Sequence, residues 1–525
     1  MITRRCCWAI FLLTVIVAAS AVASTLRVCK KSSDELWLRW SWNEQQDLLL
    51  RCGLGTNNRQ FNFGAAYLID QLLPDEECFA SAAYQHRIHW CGDSTGVFHM
   101  YPDKDKNGIY ILSGNHGYSY TIATVPQHGF TIADVGKNLT ASHYLLKVPD
   151  ADTLWIIPPI KATEYDKITA VKAGHNFRAT RILKREYFLD AQVLPDDQAV
   201  SGRCLRVVER TGIATFPALL AAKFVAEEVN DFYAVYDITY NFYDNRICRV
   251  ETQVTYPNDI LLMGVGPMQD SALEIAKYDF YERYIPKVRP IQEQATIAQP
   301  YAPKSAIYYR KDGKYLTDTR RYDFAAVQDM TPQRLLADRT EAPRFEIRVN
   351  SSYVDPLNQP DRFIEFIGKI DGQKRLRKVG SVLGMDAETG LCRPEERSKN
   401  RNSVILSNVH KTYPTHLGRG EKTFLAAGTV LNTVGYRGYF NPEAIGAATA
   451  LYAVPFPDHT RVYADFHQKV QDYELPLPPG TVTVLEKSPA VTLVGNRVSL
   501  SDDYGYIVVK VSLVAIEAAP GKTTR

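Results

Sequence analysis

Residues 231–256 read DFYAVYDITYNFYDNRICRVETQVTY, and their alternation decides the fold class. Phe232, Ala234, Tyr236, Ile238, Tyr240 and Phe242 fall on one face of an extended chain, with Asp237, Thr239 and Asn241 on the other. A period of two is that of a strand, whose successive side chains point to opposite faces. Tyr243-Asp244-Asn245-Arg246 has the chemistry of a turn, and residues 247–256 return as a second strand.

The pattern recurs on both sides of this hairpin. Residues 344–350, 362–370 and 374–382 read as strands, the last two around Asp371-Gly372. Asp-Gly between alternating segments is a strong hairpin signal. Residues 482–485, 491–494 and 506–514 add strands near the C-terminus. The chain holds 31 tyrosines against 6 methionines, and Tyr and Phe favour pleated, half-buried surfaces. Helical spacing is confined to residues 216–230 (FPALLAAKFVAEEVN, with Asn230 as an end cap), 270–284 and 328–339. The expected fold is mainly β, a β-rich α+β chain. It comprises two or three antiparallel-sheet domains, sandwiches or half-barrels, with a few short helices.

At 525 residues, 45% hydrophobic and 23% charged, the composition is that of a globular chain of several domains. Residues 285–305 carry Pro286, Pro290, Pro300 and Pro303 without an apolar period, which suits an extended connector. A softer boundary falls at Pro158-Pro159. The expected layout is a leader at 1–23, an N-terminal disulfide-containing β domain at 24–158 and an α+β domain at 159–284. A linker at 285–305 and a C-terminal β-rich domain at 306–525 complete it. Residues 386–402 read as a long loop, and no fixed repeat is found.

Met1 to Ser24 has the order of a secretory signal. Arg4 and Arg5 precede an apolar run from Trp8 to Ala19, and Ala21-Val22-Ala23 is a small-residue cleavage pattern. The run is shorter than the roughly 20 residues that span a bilayer, so cleavage after Ala23 is expected, with no later transmembrane segment. A net charge of +3 gives no electrostatic basis for nucleic-acid binding.

Of nine cysteines, Cys6 and Cys7 leave with the signal. In an oxidising compartment the next six would form short loops as Cys29–Cys52, Cys78–Cys91 and Cys204–Cys248, with Cys392 over. None has the C-x-x-C spacing of a zinc or redox site. Asn138-Leu139-Thr140 and Asn350-Ser351-Ser352 are glycosylation sequons, expected at the surface.

Four further motifs carry possible chemistry. Gly92-Asp93-Ser94-Thr95-Gly96 matches the letters of a hydrolase nucleophile elbow, which needs a helix directly after Ser94. Residues 97–102 have no helical period, so Ser94 reads better as part of a turn beside Cys91. Asp103, Asp105, Asn107 and Gly108 match the first half of a calcium loop, but Gly114 stands where the bidentate glutamate belongs. Asn107-Gly108 is also a good hairpin turn between residues 97–101 and 109–112. Seven histidines, His86, His89, His99, His116, His128, His143 and His175, crowd the first third of the chain without a carboxylate at ligand spacing. The basic run Lys374-Arg375-Leu376-Arg377-Lys378 could bind sulfated glycans or anionic headgroups, or simply protect an edge strand.

Together these features point to a secreted or cell-surface glycoprotein that binds an extracellular protein or glycan. No cofactor is implied. The alternative is a carrier whose Phe232–Phe242 face lines a cavity for a lipid or other apolar molecule, covered by the 216–230 helix. A secreted hydrolase built on Ser94 or scattered carboxylates ranks third.

Overall fold

The computed structural model describes residues 25–33, 35–54, 61–75, 180–215, 225–266, 362–370, 376–386, 403–407, 411–415 and 423–512, with short pieces between. In it the hairpin forms as strands Phe232–Tyr243 and Ile247–Tyr256, in register with Phe242 opposite Cys248. Arg246 closes the turn with φ 68°, in the left-handed region that costs a non-glycine residue roughly 1 kcal/mol. Its backbone N–H donates to the Tyr243 carbonyl and its Nη1 donates to the Ser41 carbonyl at 2.8 Å, which fixes the turn against a second sheet.

That second sheet consists of β1 (Leu26–Ser32), β2 (Glu35–Ser41), β3 (Gln46–Leu54), β4 (Phe61–Asp70) and β5 (Arg87–Trp90), with Ala199–Gly202 added beside β1. The central sheet takes β6 (Thr180–Leu189), β7 (Cys204–Ala214), β8 (Phe232–Tyr243), β9 (Ile247–Tyr256), β10 (Phe280–Tyr284), β11 (Arg362–Ile370), β12 (Leu376–Met385) and β13 (Thr429–Phe440). Its order is β6-β7-β8-β9-β13-β12-β11-β10, with Gln192–Val193 on the β6 edge. All pairings are antiparallel.

The six residues on the apolar face of β8 are all buried, in one core with Leu36, Leu38, Trp40, Leu48 and Leu50 of the N-terminal sheet. Phe61 and Phe63 of β4 interleave with them: Phe61 lies 4.9 Å from Tyr240 and Phe63 5.4 Å from Phe242. Each such ring removed from water contributes about 1.5–3 kcal/mol.

On its opposite face, Ile364, Phe366, Val382, Tyr436 and Phe440 pack into a second core. The C-terminal strands supply the other side: β14 (Ala450–Pro455), β15 (His459–Phe466), β16 (Val470–Glu474), β17 (Thr481–Lys487), β18 (Val491–Val494), β19 (Arg497–Leu500) and β20 (Gly505–Ser512). They form two small sheets, β14-β15-β20-β17 and β16-β19-β18. Three layers result, with the central sheet in the middle.

The mainly β expectation holds, and the 231–256, 362–382 and C-terminal strands form where alternation places them. The helices fare differently. Within 216–230, Ala218 and Ala221 are helical and Ala226–Glu228 is a single 3-10 turn. Asn230 does not end a continuous helix; its Oδ1 accepts from Arg181 Nη1 at 2.6 Å. The expected helix at 270–284 is corrected: Asp270–Ser271 and Phe280–Tyr284 are strands, the latter paired with β11 from Phe280↔Gly368 to Tyr284↔Ile364. Three of its five residues, Phe280, Tyr281 and Tyr284, are aromatic, and aromatic side chains favour a sheet. The helix expected at 328–339 and the linker at 285–305 lie outside the described residues. Strands on either side of that linker, β9 and β13, are hydrogen-bonded neighbours, so it does not separate independently paired sheets.

Close packing of the second core leaves no room beside Gly384, where an added Cβ would stand 2.3 Å from the Tyr436 ring. Gly384→Ala is expected to lower the unfolding free energy by ~1–3 kcal/mol in urea titration, the cost of an overpacked core.

Candidate functional site

Buried charge is the unexpected feature of the sandwich. Glu365 of β11, Ser381 of β12 and Tyr439 of β13 stand opposite one another in a row across three strands. His89, from β5 of the facing sheet, enters that row. Its Nδ1 is 3.0 Å from the Tyr439 hydroxyl, and its Nε2 is 3.8 Å from Glu365 Oε2. Arg437, two residues before Tyr439, places its guanidinium 4.8 Å from the centre of the Phe63 ring. All five are at most 2% exposed. At 3.8 Å the His89 Nε2–Glu365 Oε2 approach is beyond hydrogen-bond length, so it is a contact at ion-pair range and not a link that carries a proton. The row lies between two packed sheets, buried from solvent.

A second bridge crosses the same sandwich. Glu209 of β7 accepts from Arg185 Nε at 2.6 Å and Nη2, and from the Phe61 backbone N–H at 3.2 Å. Burial pushes the Glu209 carboxyl up, countered by the Arg185 guanidinium and the Phe61 N–H. In the second core, Arg362 faces Asp465 at 3.7 Å and lies over the Tyr463 ring, which stacks on Tyr452 at 5.0 Å. Near the rim, Arg461 donates from Nη1 to Asp386 and from Nε to His459 Nε2, while His459 Nδ1 donates to Asp458. These groups hold layers together; among the described residues no cluster has a metal-ligand set.

Among the described residues that the sequence singles out, His89 alone enters such a cluster. Ser94, Asp105, Asn107, Asn138, Asn350, Cys78, Cys91, Lys374 and Arg375, and the leader at 1–23, lie outside the described residues. Asp103 ends a strand and pairs with Gly108, so the hairpin reading of that loop holds. Arg377 and Lys378 do not converge: Arg377 Nη1 donates to Gln46 of the N-terminal sheet, whereas Lys378 Nζ lies 4.4 Å over the Phe366 ring of the other core. Their strand, β12, is interior, so protection of an edge does not explain them.

Two of the three expected disulfides are corrected. Cys29, Cys52, Cys204 and Cys248 are free thiols. Cys29 stands opposite Trp37, while Cys52 stands opposite Leu36, the next residue and so the other face of β2. Cys204 and Cys248 are likewise opposite Tyr243 and Phe242. Each pair is also two strand spacings apart, roughly 9–10 Å, beyond the ~7 Å Cα limit for a bridge. Burial pushes the Cys204 thiol up to about 11 and Cys248 well above its ordinary range. These thiols stay protonated and unreactive at neutral pH.

The missed residues are Glu209, Glu365, Arg362 and Asp465, charges within strands that alternation assigns to a solvent face. For Glu365 and Asp465 the signal is an apolar residue on both sides of the charge, as in Phe363-Ile364-Glu365-Phe366-Ile367, the mark of a strand covered on both faces.

No family model matches this sequence, and no curated protein does. Among solved structures, galactose 1-epimerase from Lactobacillus acidophilus NCFM is similar at 7% identity and a TM-score of 0.25, over 79% of this chain and 98% of that one. A mutarotase-like protein from Salmonella typhimurium is similar at 8% identity and a TM-score of 0.23, over 79% and 96%. Likeness at this level carries no argument about activity.

Two outcomes are expected. Alkylation in denaturant without reductant, followed by peptide mass mapping, should label Cys29, Cys52, Cys204 and Cys248. Tyr439→Phe, which removes the hydroxyl at His89 Nδ1, should lower stability by about 1–3 kcal/mol in denaturant unfolding.

Proposed function

We propose that this chain is a secreted or cell-surface glycoprotein that acts by binding an extracellular protein or glycan. The observation that carries the proposal is the closure of the Phe232–Phe242 face. A carrier would need that face to line a cavity, but Phe61 and Phe63 of the opposing sheet pack against Tyr240 and Phe242, and all six residues of the face are buried in the core the two sheets share. The 216–230 segment does not cover it as a continuous helix. The buried polar rows are sealed in the same way, which leaves recognition to the outer surface. The leader pattern at 1–23 and the sequons at Asn138 and Asn350 support an extracellular destination.

Native mass spectrometry of protein secreted from eukaryotic cells, with its organic extract analysed in parallel, tests this. The expected species begins at Ser24, carries N-glycan and holds no lipid. A stoichiometric apolar adduct would restore the carrier, and a chain retained in the cytoplasm with residues 1–23 would overturn the secreted reading.

A further inference from the structure

The row of core valines in the C-terminal sheet does not stop where the sheet does. Val509 and Val511 of β20 are fully buried, and they stand opposite Val484 and Val482 of β17. Those two are 40% and 37% exposed, with Leu485 beside them at 37%. β17 is the last strand of its sheet, and among the described residues no strand pairs with its outer edge. An edge strand with exposed branched residues is a template for another strand unless charges or a proline block it.

The charges of β17 do not block it. Glu486 and Lys487 sit at its end, and both are tied back to their own chain, Glu486 accepting from the Tyr506 hydroxyl and Lys487 donating to the Val491 carbonyl. The bulge between Val484 and Glu486 also turns them away from the regular ladder. What remains open is Thr481-Val482-Thr483-Val484-Leu485. Its centre, Val482-Thr483-Val484, reads the same in both directions. A two-fold axis through Thr483 therefore sets Val482 opposite Val484 of a second copy, Thr483 opposite its own copy and Thr481 opposite Leu485, with no like charges opposed. Valine pairs on one face and a threonine pair on the other are favourable cross-strand neighbours.

From this self-complementarity we infer that the partner of β17 is β17 of a second copy of this chain, and that the C-terminal sheet continues across an isologous dimer. The ladder is short, so the dimer is weak and concentration-dependent.

The axis gives a specific test. Directly opposed residues have Cβ atoms about 4.5–5.5 Å apart, within small adjustment of disulfide distance. In the full secreted chain, Thr483→Cys should give a covalent dimer on mild oxidation, seen on a non-reducing gel. Thr481→Cys, which faces Leu485, should stay at the background set by the oxidised wild type. Sedimentation of the wild type over a dilution series should show monomer and dimer in exchange, and Val484→Lys should weaken the association at least tenfold. A wild type that stays monomeric throughout overturns the inference. So does a Thr483→Cys variant that melts like the wild type yet does not cross-link, or a Thr481→Cys variant that cross-links as well.

Discussion

The interleaving of Phe61 and Phe63 with Tyr240 and Phe242 is the constraint on which the rest of the molecule depends. It fixes the distance and register of the N-terminal sheet against the central one, because a slip of one residue on β8 would turn its whole apolar set to the wrong face. Once Phe61 is placed, its backbone N–H lies over Glu209, and the N-terminal sheet can carry His89 to Tyr439 on the far side of the layer. The polar contacts are thus consequences of aromatic packing, and they work only at the register that packing sets.

That dependence runs in the other direction too. Each buried carboxylate loses hydration worth several kcal/mol and recovers it only where its partners are in place. Glu209, whose Arg185 partner lies in its own sheet but whose Phe61 N–H partner does not, and Glu365 with His89 therefore add little net stability, yet they penalise any arrangement of the two sheets that breaks these inter-sheet contacts. Arg362 with Asp465 does the same for the second core. A sandwich of alternating valines and tyrosines has many near-equivalent packings, and a hypothesis that fits these three bridges is that they select one.

Local alternation was enough to read β8, β9, β11, β12, β17, β18 and β20, because each one's period is written in its own residues, whereas the N-terminal sheet, β6, β7 and β13 to β15 went unread. Phe232 to Phe242 needed no partner to be recognised as one face. The 270–284 segment was misread for the complementary reason: Phe280–Tyr284 becomes a strand through β11, whose residues lie far along the chain. The Cys29–Cys52 and Cys204–Cys248 pairings failed similarly, since nearness in sequence says nothing about which face of a strand a thiol occupies. The buried bridges join residues up to 350 positions apart, so no local pattern could have assembled His89 with Tyr439. The C-terminal edge was half legible: its strand was read, but its lack of an outer neighbour is a property of the sheet.

Free thiols and a secretory route are compatible on this fold. Oxidation proceeds through thiolate, and through access of one sulfur to another. Cys29, Cys52 and Cys248 are buried, and burial raises the thiols of Cys29 and Cys248 as well as that of Cys204. In each of the two pairs a whole strand separates the sulfurs, and they face opposite sides of it. A chain that closes its sandwich before meeting oxidant would thus carry these four thiols through an oxidising compartment unchanged. Cys52 and Cys248 lie in the same core as the aromatic layer, so the packing of the two sheets also keeps oxidant from them, while Cys29 is buried in a separate cluster on the other face of the N-terminal sheet.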